Sequence, residues 1–490
     1  MFFNKKLIRG GVHPQTQKQL SSNQAIYQLP YSKNLYLSLK QHSGAPANPI
    51  VQVGEQVTAG QLLATGQGGS ANIHAPQSGV INAIADFNAA IPGQGKQTMI
   101  HLVCNNPTLQ SRLKINHTFQ TRAELIDIIA DAGIVGMGGA VFPTATKLRS
   151  TLTKNIHTLL INGCECEPYL TCDDLIMQER CVQLVGGIRY LLTASGAPKA
   201  LIGIEDNKPE ALQHLLSATS EDDNIDIKVL PTHYPMGSAK QFIYALCQVE
   251  VPKGKRSTEV GVFVQNVATC VAIYNAIRFG HAMTHRVITI SGGGIETPMN
   301  IEAPIGTLIS ELVAACGGLK PTTARTIVGG PMMGHTITNL HTPISKGTSG
   351  VLFLNEQELP QQNTSPCISC GQCVAACPMG LLPNAMAELI ANDDLDSALK
   401  RGLNTCLLCG SCAFICPASL PLTQYFSYAT AQLARQRKME SKAQLSRRLN
   451  EQRTLRLAQE AQRKAQEKAA KKAAKAKRAK QKANAVTQEI

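Results

Sequence analysis

Short apolar runs broken by glycine turns fill residues 35–85, as in P-I-V-Q-V-G-E-Q-V-T-A-G-Q-L-L-A (Pro49 to Ala64) and I-H-A-P-Q-S-G-V-I (Ile73 to Ile81). Runs this short predict strands rather than helices. The first thirty residues are irregular and punctuated by His13-Pro14 and Leu29-Pro30. At Thr121 the pattern changes: Thr121 and Glu124 form a T-x-x-E capping box, and Leu125, Ile126, Ile128 and Ile129 supply an apolar helical face through about Ala132. A buried strand is expected at Thr158 to Gly163 and further strands at Ala200 to Ile204 and Ile227 to Leu230, with helices at about 174–195 and 207–217. That alternation predicts a βα-type sheet. A strand at Val287 to Gly292 and a helix within Pro304 to Gly318, capped by Thr307, describe another small unit. Leu382 to Gly402 reads as helix, and from Arg435 the chain is a polar run of strong helix formers with little to bury, predicting an exposed helix or a disordered tail.

At 490 residues the chain has room for three or four domains. Its net charge of +14 is unevenly placed: from Arg435 onward there are 18 Lys and Arg against five Glu, leaving a nearly neutral body. Such a tail suits an anionic membrane surface. Nucleic acid is not expected, because no aromatic residues interleave with the basic ones. No apolar run reaches the roughly eighteen residues of a membrane span. The best stretch, Val260 to Ile277, is broken by Gln265, Asn266, Thr269 and Asn275. The N-terminal residues lack the apolar core of a secretory signal, and sixteen cysteines without export point to a reducing cytosol.

Half of those cysteines carry the sharpest pattern. C-I-S-C-G-Q-C-V-A-A-C-P contains Cys367, Cys370, Cys373 and Cys377, and C-L-L-C-G-S-C-A-F-I-C-P contains Cys406, Cys409, Cys412 and Cys416. Each run is C-x2-C-x2-C-x3-C-P, the ligand spacing of a two-cluster ferredoxin, in which the fourth Cys of each run serves the other cluster. The expected sets are therefore Cys367, Cys370, Cys373 and Cys416 for one [4Fe–4S] cluster, and Cys406, Cys409, Cys412 and Cys377 for the second. Zinc sites pair two C-x2-C units and need no third Cys at the same interval. The helical segment between the runs suggests an α-helical ferredoxin domain. Cys164, Cys166 and Cys172 lack a fourth nearby ligand and read as structural.

The richest glycine stretch is G-I-V-G-M-G-G-A-V-F-P-T-A-T-K-L (Gly133 to Leu148). Glycines at 136, 138 and 139 remove side chains where backbone must approach a flat or anionic ligand, and Lys147 lies downstream to meet a phosphate. The spacing is not that of a dinucleotide fold. The strand Thr158 to Gly163 ends in C-E-C-E-P, where α/β sheets keep their ligands.

These segments, with Y-P-M-G-S-A-K-Q (Tyr234 to Gln241) and V-Q-N-V-A-T (Val264 to Thr269), occur in the order seen in the flavin/NADH-binding subunit of respiratory complex I, which the chain resembles. Over residues 1 to about 425 it more closely resembles the RnfC subunits of Rnf-type ion-translocating electron-transport complexes. The resemblance implies a multidomain α+β and α/β protein. Its units would be a barrel-sandwich N-terminal domain (1–115), an FMN/NADH-binding-like α/β domain (116–284), an SLBB-like β-grasp module (285–355), a two-[4Fe–4S] ferredoxin-type domain (356–430) and the basic tail (431–490). A barrel-sandwich carrier would need a lysine on its hairpin. Thr65 to Asn72 has none, so a structural or docking role is expected there.

Carried over residue by residue, Gly136, Gly138, Gly139 and Lys147 would hold the FMN phosphate and ribityl chain, with Asn162, Glu165 and Asn266 at the flavin. Phe142 and Glu167 match positions that stack and orient NADH. Met137, Cys164 and Ser238-Ala239 depart from the complex I pattern. The function implied is a translocase-type oxidoreductase subunit that passes electrons between NAD(H), FMN, two [4Fe–4S] clusters, partner subunits and a ferredoxin-like partner. It would be peripheral on the cytoplasmic side of the inner membrane. A cluster-only relay or docking subunit, and a soluble NADH:acceptor reductase, are the alternatives.

Overall fold

The computed structural model describes residues 8–88, 96–106, 119–360 and 364–487. Near the N-terminus two small antiparallel sheets face each other, one built on the long pair Ser78–Asn88 and Lys96–Asn106, the other on Asn48–Pro49, Leu62–Thr65 and Ile73–His74. Leu35, Leu63, Ile81 and Leu102 fill the space between them and are completely buried.

The expected βα unit is a four-stranded parallel sheet in the order Ile225–Leu230, Ala200–Glu205, Thr158–Gly163, Val262–Asn266. The chain therefore reverses its lateral direction between Thr158–Gly163 and Val262–Asn266, and a crevice opens beyond the carboxyl ends of those two strands. The helical stretch expected at 174–195 is two helices, Cys172–Glu179 and Cys181–Ser195, parted at Arg180. Arg180 leaves the helical line to form a bidentate pair with Glu302 at 2.9 and 2.5 Å.

A six-stranded sheet follows, built around His285–Ser291 and Gly350–Asn355. One of its edge strands is Tyr27–Gln28, which pairs parallel with Ile301 and Glu302. The N-terminal segment expected to be irregular is thus part of a distant sheet. Thr307 does not cap a helix: Leu308 holds the N-cap position of Ile309–Ala315. The Thr307 hydroxyl instead bonds the Pro304 carbonyl at 2.8 Å.

The cysteine-rich unit is helical. The insert between the two Cys runs is broken at Asp393, whose φ of 58 ends Pro383–Ala391 before Leu395–Lys400 begins. The chain then runs as one helix, Leu422–Thr487, with its first turns packed into this unit through Leu422, Phe426, Ala429 and Leu433. No described helix is long and apolar enough to cross a membrane.

Candidate functional site

The glycine loop is pinned from below and open above. Met137 donates its amide to Thr269 Oγ1 at 3.0 Å, and its carbonyl accepts from Arg286 Nη2 at 3.0 Å. Met137 itself is turned into the core at 7% exposure. Gly138 and Gly139 lie exposed or nearly so at the loop's outer turn, which is open to solvent. A Cβ on Gly138 would stand 3.2 Å from the Asn266 side chain, whereas Gly139, at φ +67, has open space where its Cβ would be. Gly136 donates to the Phe142 carbonyl at 2.9 Å, closing the loop with Phe142 half-buried on its far limb.

Asn162 and Asn266 are register partners on the two strands that border the crevice. Asn266 caps the helix Val267–Phe279 by accepting from the Ala268 amide, and its Nδ2 donates to Asp173 Oδ2 at 2.7 Å. Asn162 Nδ2 donates to Gly237 O at 2.8 Å. Glu165 accepts from the amides of Asp173 and Asp174 at 2.8 and 3.3 Å, so its carboxylate occupies the positive end of helix Cys172–Glu179. Burial and the neighbouring Glu165 carboxylate push the Asp173 pKa up. Asp173 Oδ1 is buried without a hydrogen-bond partner, and so is Arg286 Nη1. Buried groups of this kind call for a ligand or solvent partner.

Two expected residues are engaged elsewhere. Lys147 Nζ donates to the Val264 carbonyl and lies 4.7 Å from the Phe263 ring centroid, so a phosphate contact would require that bond to be given up. Desolvation lowers its pKa to about 8. Glu167 accepts from the consecutive amides of Met332 and Met333 at 3.1 and 3.0 Å, in the glycine turn of the six-stranded sheet. Burial raises its pKa to about 7 against the opposing effect of those two amides.

The cysteines converge in two cavities. One is lined by Cys367, Cys370, Cys373 and Cys416, the other by Cys377, Cys406, Cys409 and Cys412. None of the eight is in a disulfide. The first cavity lies at the surface, with Cys367 and Cys370 exposed and Ile368 at 66% exposure. The second is shielded. Tyr234 donates its hydroxyl to the Cys409 carbonyl at 2.6 Å, and Gln241 Nε2 donates to Pro378 O at 3.0 Å. Gly410, one residue past Cys409, packs so closely on Met332 that a Cβ there would lie 2.7 Å from its carbonyl.

Four family models match in sequence: an RnfC barrel sandwich hybrid domain at residues 6–105, a Nuo51 FMN-binding domain at 129–275, an SLBB domain at 287–336 and a 4Fe-4S dicluster domain at 361–420. An RnfC-type subunit of an ion-translocating oxidoreductase complex from Rhodobacter capsulatus is 42% identical over 434 residues, which is 87% of this chain and 83% of the relative. The chain belongs to the RnfC family of ion-translocating oxidoreductase complex subunits. The corresponding subunit of a proton-translocating ferredoxin:NAD(+) oxidoreductase complex from Clostridium ljungdahlii is 40% identical, covering 81% of this chain and 87% of the relative. The corresponding subunit from Pseudomonas aeruginosa is also 40% identical, covering 93% and 59%.

As an RnfC subunit, the protein is an electron-transfer component of an oxidoreductase complex, other subunits of that complex are its partners, and FMN and [4Fe–4S] clusters are its cofactors. Its residues fit them. Four thiols around a compact cavity are the donor set of a cubane cluster. The open backbone at Gly138–Gly139, the unpartnered Asp173 oxygen and the crevice at the strand reversal suit a flavin. Sequence reasoning missed Lys18, whose Nζ donates to the carbonyls of Glu165, Glu167 and Leu170 at 2.7, 3.2 and 2.5 Å and so shapes the C-E-C-E-P turn. It also missed Tyr234 as the tie to the second cavity. Tyr234 lies in the quoted Y-P-M-G segment, but nothing local marks its partner.

Proposed function

We propose that the subunit exchanges electrons with NAD(H) at the glycine-loop crevice and with a ferredoxin-like protein at the exposed cysteine cavity. A flavin exchanges hydride with a nicotinamide and single electrons with iron–sulfur clusters, so the pair supplies the change from two-electron to one-electron transfer. Gly136, Gly138 and Gly139 leave room for the flavin's phosphate and ribityl chain, Asn162 and Asn266 border its ring, and Glu165 holds the helix beneath it. Cys367, Cys370, Cys373 and Cys416 hold one cluster; Cys377, Cys406, Cys409 and Cys412 hold the other. Phe142 offers a ring to a nicotinamide beside the loop. Glu167 reaches a nicotinamide ribose only by releasing the Met332 and Met333 amides.

The observation that carries this reading is the contact between the two sites. Tyr234 and Gln241, from the flavin-type domain, bond the backbone of the second cysteine cavity, while the first cavity faces outward. The second cavity is therefore the inner one, and the first is the one a redox partner reaches. In this reading the subunit sits peripherally on the cytoplasmic face of the membrane. Anaerobic reconstitution tests it: one extractable FMN per chain, and bleaching of cluster absorbance by NADH, are expected. Clusters without flavin would leave a relay subunit only.

A further inference from the structure

Electron transfer between the crevice and the two cavities leaves about the last seventh of the chain without work, and that segment carries nearly all of the excess charge. Helix Leu422–Thr487 is 66 residues long, about 100 Å at helical rise. Its first turns are rooted between the two cysteine cavities: Leu422 lines the first, and Thr423 and Phe426 line the second. Past Leu433 every residue through Lys480 is exposed. From Arg435 onward, 18 Lys and Arg face five Glu. Arg463 and Glu467, 3.7 Å apart, form an ion pair within the helix, but five carboxylates cannot neutralise eighteen cations.

The apolar residues on this rod do not form a stripe. At about 100° per residue, Met439 and Leu457 fall on one side, Leu445 and Leu449 on a second and Leu455 on a third. All five are more than half exposed. Without an apolar face the helix has no means of seating in another helix's groove or of burying itself among acyl chains. What it offers is a long, regularly spaced positive charge, whose complement is an extended anionic surface.

We propose that residues 435–480 lie along the anionic phospholipid headgroups of the membrane that holds the rest of the complex. The contact is electrostatic and superficial, and because the helix is rooted at both cavities it fixes their height and orientation relative to the bilayer. A handful of Lys and Arg near such a surface suffices for binding at low salt, and residues 435–480 carry seventeen. Nucleic acid offers the same charge, but as a member of an ion-translocating complex, this subunit works beside a membrane, and no described helix of its own spans one.

The experiment uses the full chain with clusters reconstituted, sedimented with phosphatidylcholine vesicles or with vesicles containing phosphatidylglycerol. Binding to the anionic vesicles alone is expected, with release between about 0.05 and 0.5 M salt as screening shortens. Changing Lys471, Lys472, Lys475, Lys477 and Lys480 together to Gln, which keeps helix propensity, should weaken binding at least about tenfold. A chain ending at Arg435 should lose binding while keeping its cluster absorbance. The chain has no Trp, so Leu457→Trp is a clean reporter, and its emission should not shift to the blue on binding. Equal binding to neutral vesicles, indifference to the five Gln, or a blue shift would overturn the proposal. So would single-stranded RNA that strips the protein from vesicles at equal phosphate concentration.

Discussion

The Tyr234 hydroxyl donates to the main-chain carbonyl of Cys409 at 2.6 Å. One partner sits in the flavin-type domain, the other is a cysteine of the shielded cavity, and both are buried. The bond fixes the cysteine loop against the crevice and places a donor next to the cluster's own ligand. The hydroxyl meets the Cys409 backbone and not its sulfur, so its effect on the cluster is that of a buried dipole beside it, whose positive end stabilises the more negative state and raises the reduction potential.

Tyr234→Phe should keep both clusters and the flavin. A buried carbonyl then loses its donor, costing about 1 kcal/mol of stability. The potential of the second cluster should move to more negative values, and NADH-driven bleaching should slow. Redox titration followed by electron paramagnetic resonance reads the first effect; an unchanged potential would show the bond to be structural only.

Gly138→Ala tests the loop. Its new Cβ meets Asn266 at 3.2 Å, and Asn266 also caps a helix, so neither it nor the loop yields freely. FMN content should fall several-fold while iron and sulfide content stay the same. Gly139→Ala, with open space but a left-handed φ, should strain the backbone by about 1 kcal/mol and reduce FMN content less.

Glu167 predicts a pH dependence with an unusual sign. Its folded pKa, raised to about 7, lies above its ordinary value near 4.5, so the folded state holds the proton longer than the unfolded one. Its contribution to stability is present below about 4.5 and is lost as the pH rises to about 7. Glu167→Gln should remove that decline, of order 3 kcal/mol, which thermal unfolding of both forms across the window would measure. Parallel profiles for the two would rule it out.

Cys370→Ala should abolish the signal of the exposed cluster and leave the flavin and the inner cluster in place. Cys377→Ala should instead disturb the inner cluster, although Cys377 belongs to the first sequence run, because it lines the second cavity. Spectra of the two variants separate these outcomes.

The residues that were legible in the sequence act over short, fixed intervals. Cys spacing is set by the size of a cluster, the Thr121–Glu124 box by one helical turn, and the glycine loop by the absence of side chains. Three strands of the parallel sheet were legible as short apolar runs, although the edge strand Ile225–Leu230 is largely exposed, with Asp226 and Lys228 turned outward. What could not be read depends on partners far away in the chain. Lys18 looks like any loop lysine until the carbonyls of Glu165, Glu167 and Leu170 are brought to it. Tyr27–Gln28 looks irregular because its strand partner lies near residue 301. Thr307 has the composition of a cap but bonds backward to Pro304, and Leu308, which occupies the cap position, carries no side-chain bond. Glu167 was expected to face a nicotinamide, and its two amide partners belong to another domain.

A flavin in the glycine-loop crevice that feeds the inner cysteine cavity makes a direct demand on the kinetics of reduction. Anaerobic NADH titration of the full reconstituted chain, followed at flavin and cluster wavelengths, tests that demand. One FMN per chain is expected, with both clusters bleached by NADH and with bleaching lost in the FMN-depleted Gly138→Ala form. Bleaching that survives removal of the flavin, or clusters that NADH leaves oxidised while the flavin is reduced, would contradict it.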